Sequence, residues 1–393
     1  MAFSFQRNLI SLIFIKIAKW MNLVMPIIVL FYKSNGLSMQ DIFILQSVYS
    51  FSLMLLEIPS GYFADKVGRR HSILIGTVFG FIGFLMYSIS YGFWQFAVAE
   101  TVLGLGMSLV SGADSAILYD SLSAAGHENR YTRFDGRITM AGNFAEAFAG
   151  IIGGLIAVSS LRTPYYIQTI VAFSGIAAAL FLREPPIKET IIKPILRDIP
   201  KIVRNVLQTN KKLKWNTLFS ALTGASTLSM AWLVQPYFIK LQMPTEFFGI
   251  SWAILNLCVG LAALYAWKIE KRFGPARTVL LFTVSLCVSY FILAFSTNYS
   301  GILILLVFYM ARGVATPTLR SYINNISTSD VRATVLSVRN FIIRMIFAIL
   351  GPFFGWINDK FSLGMAMLIA GTIYSILSSV TLYKFLKHKT YSS

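Results

Sequence analysis

Three features of this chain predict an all-α integral membrane protein with twelve transmembrane helices in two pseudo-symmetric six-helix bundles. Of 393 residues, 56% are hydrophobic and only 13% charged. Apolar runs of bilayer-spanning length follow one another along the chain, and one long polar stretch divides them six and six. A soluble domain carries charge on roughly a quarter of its residues. With a mean hydropathy of +0.67, this chain has too little polar surface to face water, so lipid must be the solvent for most of it.

A helix needs roughly 20 mostly apolar residues to cross a hydrocarbon core of about 30 Å. Runs of that kind fall at 9–32, 41–63, 72–90, 94–120, 137–159, 164–182, 215–240, 247–268, 277–296, 300–324, 333–357 and 364–386, taken here as spans 1 to 12. Span 1 is too long for the apolar core of a signal peptide, and no small-residue cleavage site follows it. Turn and charge clusters separate the runs, among them Ser34-Asn35-Gly36, Glu184-Pro185-Pro186, Gly274-Pro275 and Asp359-Lys360. No run alternates with the two-residue period of barrel strands. Helices satisfy their own backbone in lipid, so a helical bundle follows.

Lys and Arg set the expected orientation. With the N-terminus inside, 25 of the 34 basic residues fall in cytoplasmic segments and 4 (Lys33, Arg162, Lys240 and Lys360) fall outside. Both termini are therefore expected in the cytoplasm, in a multi-pass protein of the plasma (inner) membrane. The same asymmetry accounts for the net charge of +18: the basic face suits anionic lipid rather than nucleic acid. Cys258 and Cys287 lie in apolar runs and form neither a disulfide framework nor a metal-binding spacing.

The expected domains are an N-terminal bundle (1–182), a linker (183–214) and a C-terminal bundle (215–393). The halves resemble each other at an offset of about 206, where 63–74 aligns with 269–280, and at 202, where Arg137 and 149–154 match Arg339 and 351–355. Parallel six-helix repeats place a solute site between halves near the midplane.

The segment Gly61-Tyr62-Phe63-Ala64-Asp65-Lys66-Val67-Gly68-Arg69-Arg70 resembles the loop G-x-x-x-D-[RK]-x-G-[RK]-[RK] between helices 2 and 3 of the major facilitator superfamily of secondary transporters, and it matches every fixed position. The resemblance, closest to bacterial efflux-type members, extends through span count, linker and repeat to the whole chain. It implies that Gly61, Asp65, Lys66, Gly68, Arg69 and Arg70 form a conformational latch. Physically, Gly61 would permit close helix approach, Gly68 a tight turn, and Asp65 would accept hydrogen bonds from a helix N-terminus or an arginine. Other family patterns depart from type. In span 4, Glu100 and Leu103 of Glu100-Thr101-Val102-Leu103-Gly104-Leu105-Gly106 replace the arginine and glutamine of R-x-x-Q-G-x-G. In span 5 the Gly-Pro of the drug-antiporter pattern G-P-x-x-G-G is missing, and Gly351-Pro352 stands in span 11 instead.

Ionisable groups inside spans are costly and are functional candidates by default. Lys16, Lys19, Arg312 and Arg344 against Glu146 would make a basic cavity for an anionic or zwitterionic solute. The competing reading is pairing with acidic neighbours and snorkelling of Lys16. Trp232 and Gln235 in span 7, beside Tyr237, are candidates for the cavity wall or for packing. No phosphate-binding loop is present, so an ion gradient, expected to be of protons, supplies the energy and no cofactor is needed. A carboxyl in an apolar span can exchange a proton near neutral pH. Glu100 and Glu146, then Glu57 and Asp114, are the coupling candidates, with salt bridging to arginine or lysine as the alternative role.

His71, His127 and His388 are far apart and form no metalloprotease or nucleophile pattern, so neither an enzyme nor a metal site is expected. No selectivity filter is visible. The expectation is a secondary active transporter, monomeric, moving a small organic solute by proton-coupled export through alternating access. Gly142, Gly150, Gly154, Gly351 and Gly355 would let spans 5 and 11 pack closely and slide. The alternatives are proton- or sodium-coupled uptake of a small anionic or zwitterionic metabolite, and a transport-inactive receptor on the same fold.

Overall fold

A computed structural model describes residues 5–127, 130–186, 210–327 and 332–390. Of the expected linker, 187–209 lies outside the described residues. The described residues are helical with turns and no strand. The helices are α1 (Phe5–Trp20), α2 (Ile28–Ser34), α3 (Met39–Val67), α4 (Arg69–Ile89), α5 (Phe93–Val110), α6 (Ala113–Ala124), α7 (Tyr131–Ala157), α8 (Thr163–Leu180), α9 (Lys211–Lys240), α10 (Glu246–Phe273), α11 (Pro275–Phe295), α12 (Gly301–Ile326), α13 (Arg332–Lys360) and α14 (Leu363–Lys387).

Among the described residues, eleven stretches are long and apolar enough to cross a membrane. The remaining expected span, span 6, is α8 with 18 residues, but Thr163, Tyr165, Tyr166 and Gln168 in its first turns dilute its apolar character. Large apolar side chains remain exposed along single helix faces, such as Phe144, Phe148, Ile151 and Leu155 on α7 and Leu257, Leu261 and Leu264 on α10. Such faces are stable only against lipid.

Spans 1 and 4 are each broken, contrary to the continuous helices expected at 9–32 and 94–120. Span 1 stops at Trp20, passes through a short 3-10 turn (Met25–Ile27) and resumes as α2. Pro26 explains the break, because it has no N–H and disfavours helical geometry in the residue before it. Leu23 N–H, freed from the helix, is satisfied by Gln168 Oε1 of α8 at 2.9 Å. Span 4 breaks at Gly112, whose φ of +84° is a conformation that only glycine adopts without strain.

The chain forms two compact units. Unit 1 comprises Met1–Leu37, Leu45–Ile191 and Pro244–Ala253, and unit 2 comprises Ser38–Ile44, Ile192–Met243 and Ile254–Ser393. Inside unit 1, α4 packs on α5 and α8, and α1 on α7 and α8; inside unit 2, α11 packs on α12 and α14, and α9 on α13 and α14. Numbered by span, these are the same four pairings, so the expected repeat is a repeat of packing as well as of sequence. Gly68 (φ +111°) and Gly274 (φ +78°) turn the chain at equivalent places, before α4 and before α11.

Candidate functional site

The loop that carries the family motif is held at the start of α4. Glu184, just beyond α8, accepts hydrogen bonds from the backbone N–H groups of Arg69 (3.0 Å) and Arg70 (2.9 Å). A carboxylate there fills the open donors of the first helical turn and opposes the positive end of the helix dipole. The Arg69 guanidinium pairs with Asp120 of α6, donates to the carbonyl of Ala116 (3.0 Å) and lies 4.0 Å from Asp65. Asp65, Arg69 and Asp120 thus link the ends of α3, α4 and α6. Arg70 reaches the carbonyl of Leu180 at 3.5 Å, and Lys66 lies over the Tyr62 ring. Gly61 does not make the close approach expected of it: a Cβ there would meet no atom within 4 Å, because its face of α3 is open.

Glu100 sits deep in unit 1, 4% exposed. Its Oε1 accepts from Tyr32 Oη (2.9 Å) and Gln46 Nε2 (2.6 Å), and the Tyr32 and Tyr87 hydroxyls are 2.5 Å apart. Tyr165 of α8 stacks on Tyr87 with ring centroids 5.4 Å apart. Side chains from α2, α3, α4, α5 and α8 therefore meet at this carboxyl. No lysine or arginine pairs with it among the described residues. Two uncharged donors thus take the place that the salt-bridging alternative reserved for a cation.

A third polar cluster lines a pocket between α1, α6 and α7. Lys16 and Lys19 come from α1, Asp114 and Ser115 from α6, and Asp135 from α7, over a floor of aliphatic side chains. Lys19 Nζ lies 3.8 Å from Asp114, and the Lys16 ammonium lies 4.8 Å from the centre of the Trp20 indole. Two aspartates, Asp114 and Asp135, balance the two lysines in this pocket. Just outside the span, burial raises the pKa of the Tyr131 hydroxyl above its ordinary value. Asp135 adds to the shift, a hydrogen bond to Ser115 opposes it, and Asp114 adds a smaller part. The phenol therefore stays neutral.

The remaining candidates are not in these clusters. Glu57 and Glu146 are half-buried on α3 and α7. In unit 2, Trp232 and Gln235 are buried in α9, the Arg312 guanidinium lies 5.6 Å from the Tyr309 ring centre, and Arg344 is half-buried on α13. The sequence alone brings none of Gln46, Tyr32, Tyr87, Asp120 and Asp135 forward, and it shows Glu184 only as part of a turn cluster. Of these only Asp120 and Glu184 carry a usable signal, as acids close to a basic loop.

Comparison with known proteins agrees with this architecture. The chain is 24% identical over 343 residues to the MFS-type transporter YqjV of Bacillus subtilis, covering 84% of this chain and 79% of the relative. It is 20% identical over 337 residues to the quinolone resistance protein NorA of Staphylococcus aureus, covering 81% and 83%. Its fold matches the crystal structure of the nucleoside transporter NupG with a TM-score of 0.80 at 15% identity, over 98% of this chain and 99% of that one. It matches the D-xylose-proton symporter at 0.72 and 14%, over 96% of each. The sequence profile described as Major Facilitator Superfamily matches residues 9–352, and the chain belongs to the major facilitator superfamily of membrane transporters.

Proposed function

We propose that this transporter exports a small organic solute in exchange for protons, by alternating access, with Glu100 as the proton-exchanging carboxyl. The observation that carries this reading is the surroundings of Glu100. An ionised carboxylate enclosed by neutral donors and aromatic rings is costly to bury. A change in its protonation therefore alters how five helices are held together. Such a group can bias a two-state equilibrium, as coupling requires. The proton as coupling ion is supported by a structural neighbour that is a proton symporter. Export is supported by a relative that is a drug-resistance protein. In this reading Asp65, Arg69 and Arg70 act as the latch at the cytoplasmic face of the plasma membrane, and both termini lie on that side.

The test is solute-induced proton movement in liposomes that carry the purified protein and an internal pH dye. Solute addition should move protons, and Glu100→Gln should abolish that movement while counterflow of labelled solute persists. The sign of the pH change distinguishes export from symport. Unaltered proton movement in Glu100→Gln would remove Glu100 from the mechanism.

A further inference from the structure

Where the start of α9 meets the end of α14 in unit 2, three lysines are strung between two aromatic rings. Lys214 Nζ lies 5.4 Å and Lys384 Nζ 5.9 Å from the centre of the Trp215 ring, and Lys384 and Lys387 each lie 5.9 Å from the centre of the Tyr383 ring. The two helices are pinned together at this end. The Phe219 and Phe385 rings lie 5.0 Å apart, and Asn216 Nδ2 donates to the Thr390 carbonyl at 3.2 Å. Lysines from separate helices are thereby held around one indole. An aromatic face holds an ammonium without neutralising it, and none of the three lysines makes an ion pair among the described residues. Like charges held close repel one another, and an anion seated among them relieves that repulsion.

An apolar strip leads to this cluster. Ile376, Val380 and Tyr383 are 60%, 54% and 60% exposed, and their spacing of four and three residues puts them on one face of α14. Over about 10 Å, at 1.5 Å per residue, that face runs from the middle of the span to the lysines. We propose that the ends of α9 and α14 bind an anionic phospholipid, with its phosphodiester among Lys214, Lys384 and Lys387 and an acyl chain along Ile376, Val380 and Tyr383. A free phosphate would satisfy the lysines and leave the strip unused, whereas a lipid uses both. A phosphatidylcholine headgroup has a cation of its own, which the lysines repel, so the cluster selects lipids of net negative charge. Trp215 and Tyr383 suit the headgroup level, where an amphipathic ring is most stable. This site goes beyond the transport reading and does not depend on it.

The test is lipid binding to the full-length protein in detergent, measured by native mass spectrometry. The titrants are phosphatidylglycerol, phosphatidylcholine with the same acyl chains, and free glycerol phosphate. One phosphatidylglycerol should bind about tenfold or more tightly than phosphatidylcholine, and glycerol phosphate at the same concentration should not displace it. Lys214→Gln with Lys384→Gln should weaken phosphatidylglycerol binding about 25-fold, from a factor of about five for each charge. Lys214→Arg with Lys384→Arg should retain it. Lys271→Gln with Arg277→Gln removes the same charge from exposed positions at the same end of unit 2 and should leave that binding unchanged. Equal affinity for the two lipids, displacement by glycerol phosphate, or undiminished binding after Lys214→Gln with Lys384→Gln would overturn the proposal. An equal loss in both glutamine pairs would overturn it too, because bulk positive charge would then account for the attraction.

Discussion

At the scale of single residues, the Glu100 cluster makes a stability prediction separate from its coupling role. Tyr32 gives a hydrogen bond to Glu100 and lies 2.5 Å from the Tyr87 hydroxyl, all in buried surroundings. Tyr32→Phe removes one donor to Glu100 and takes away the partner of a second buried hydroxyl. An unsatisfied buried polar group costs about 1–3 kcal/mol, so Tyr32→Phe should lower the thermal unfolding midpoint in detergent. Glu100→Gln, which keeps an accepting carbonyl oxygen in the same place, should lower it less. Equal midpoints for Tyr32→Phe and the parent would mean that the network does not hold these helices. Glu100 was recognisable in the sequence as an acid in an apolar run. Its partners were not, because Tyr32, Gln46 and Tyr87 come from three other helices and no local pattern connects them. Asp135 was obscured for another reason: Arg133 and Arg137 on either side made it read as part of a basic loop.

At the scale of elements, the spans were legible because some twenty consecutive apolar residues form the strongest single pattern a sequence offers. The breaks inside spans 1 and 4 were not, since Asn22 to Pro26 and Ser111-Gly112 interrupt hydropathy too briefly to register. The motif at 61–70 was legible because its fixed positions are contiguous, whereas the acids that hold it, Asp120 and Glu184, arrive from 50 and more residues away. The structure ranks these acids. Glu184 fills two backbone donors at the N-terminus of α4, and loss of a helix cap costs about 0.5–2 kcal/mol. The Asp65 side chain is 48% exposed and 4.0 Å from Arg69, and exposed pairs contribute about 0–1 kcal/mol. Glu184→Ala should therefore destabilise the folded protein more than Asp65→Asn in thermal unfolding. If the latch reading is right, Asp65→Asn should still slow transport. The reverse order of stability would show that the carboxylate cap is not what holds the turn.

At the scale of the whole molecule, the compact units do not coincide with the two halves of the sequence. The division expected at the linker, with bundles of 1–182 and 215–393, ignores two short exchanges: unit 2 includes Ser38–Ile44, and unit 1 includes Pro244–Ala253. Each exchanged segment is tightly packed where it lands. Within unit 2, Asp359 of α13 accepts hydrogen bonds from the backbone N–H groups of Met39 (3.0 Å) and Gln40 (2.7 Å), capping α3. The Phe43 and Phe347 rings lie 5.9 Å apart, and a Cβ at Gly355 would lie 2.7 Å from the carbonyl oxygen of Met39. Within unit 1, a Cβ at Gly154 would lie 2.8 Å from the backbone nitrogen of Gly249. Four of the glycines expected to permit close packing, Gly150, Gly154, Gly351 and Gly355, thus lie against the exchanged segments. A half expressed alone would lack the segment its own unit requires. Fragments 1–182 and 215–393 should therefore each be degraded or aggregate when produced separately, and should recover stability and copurify when produced together. The glycine contacts sharpen the test, since Gly154→Leu or Gly355→Leu should block recovery by obstructing the approach of Gly249 or Met39. If each half instead unfolds on its own with the midpoint of the intact chain, the exchanged segments contribute nothing to stability, and the bundles are independent domains joined only by the linker.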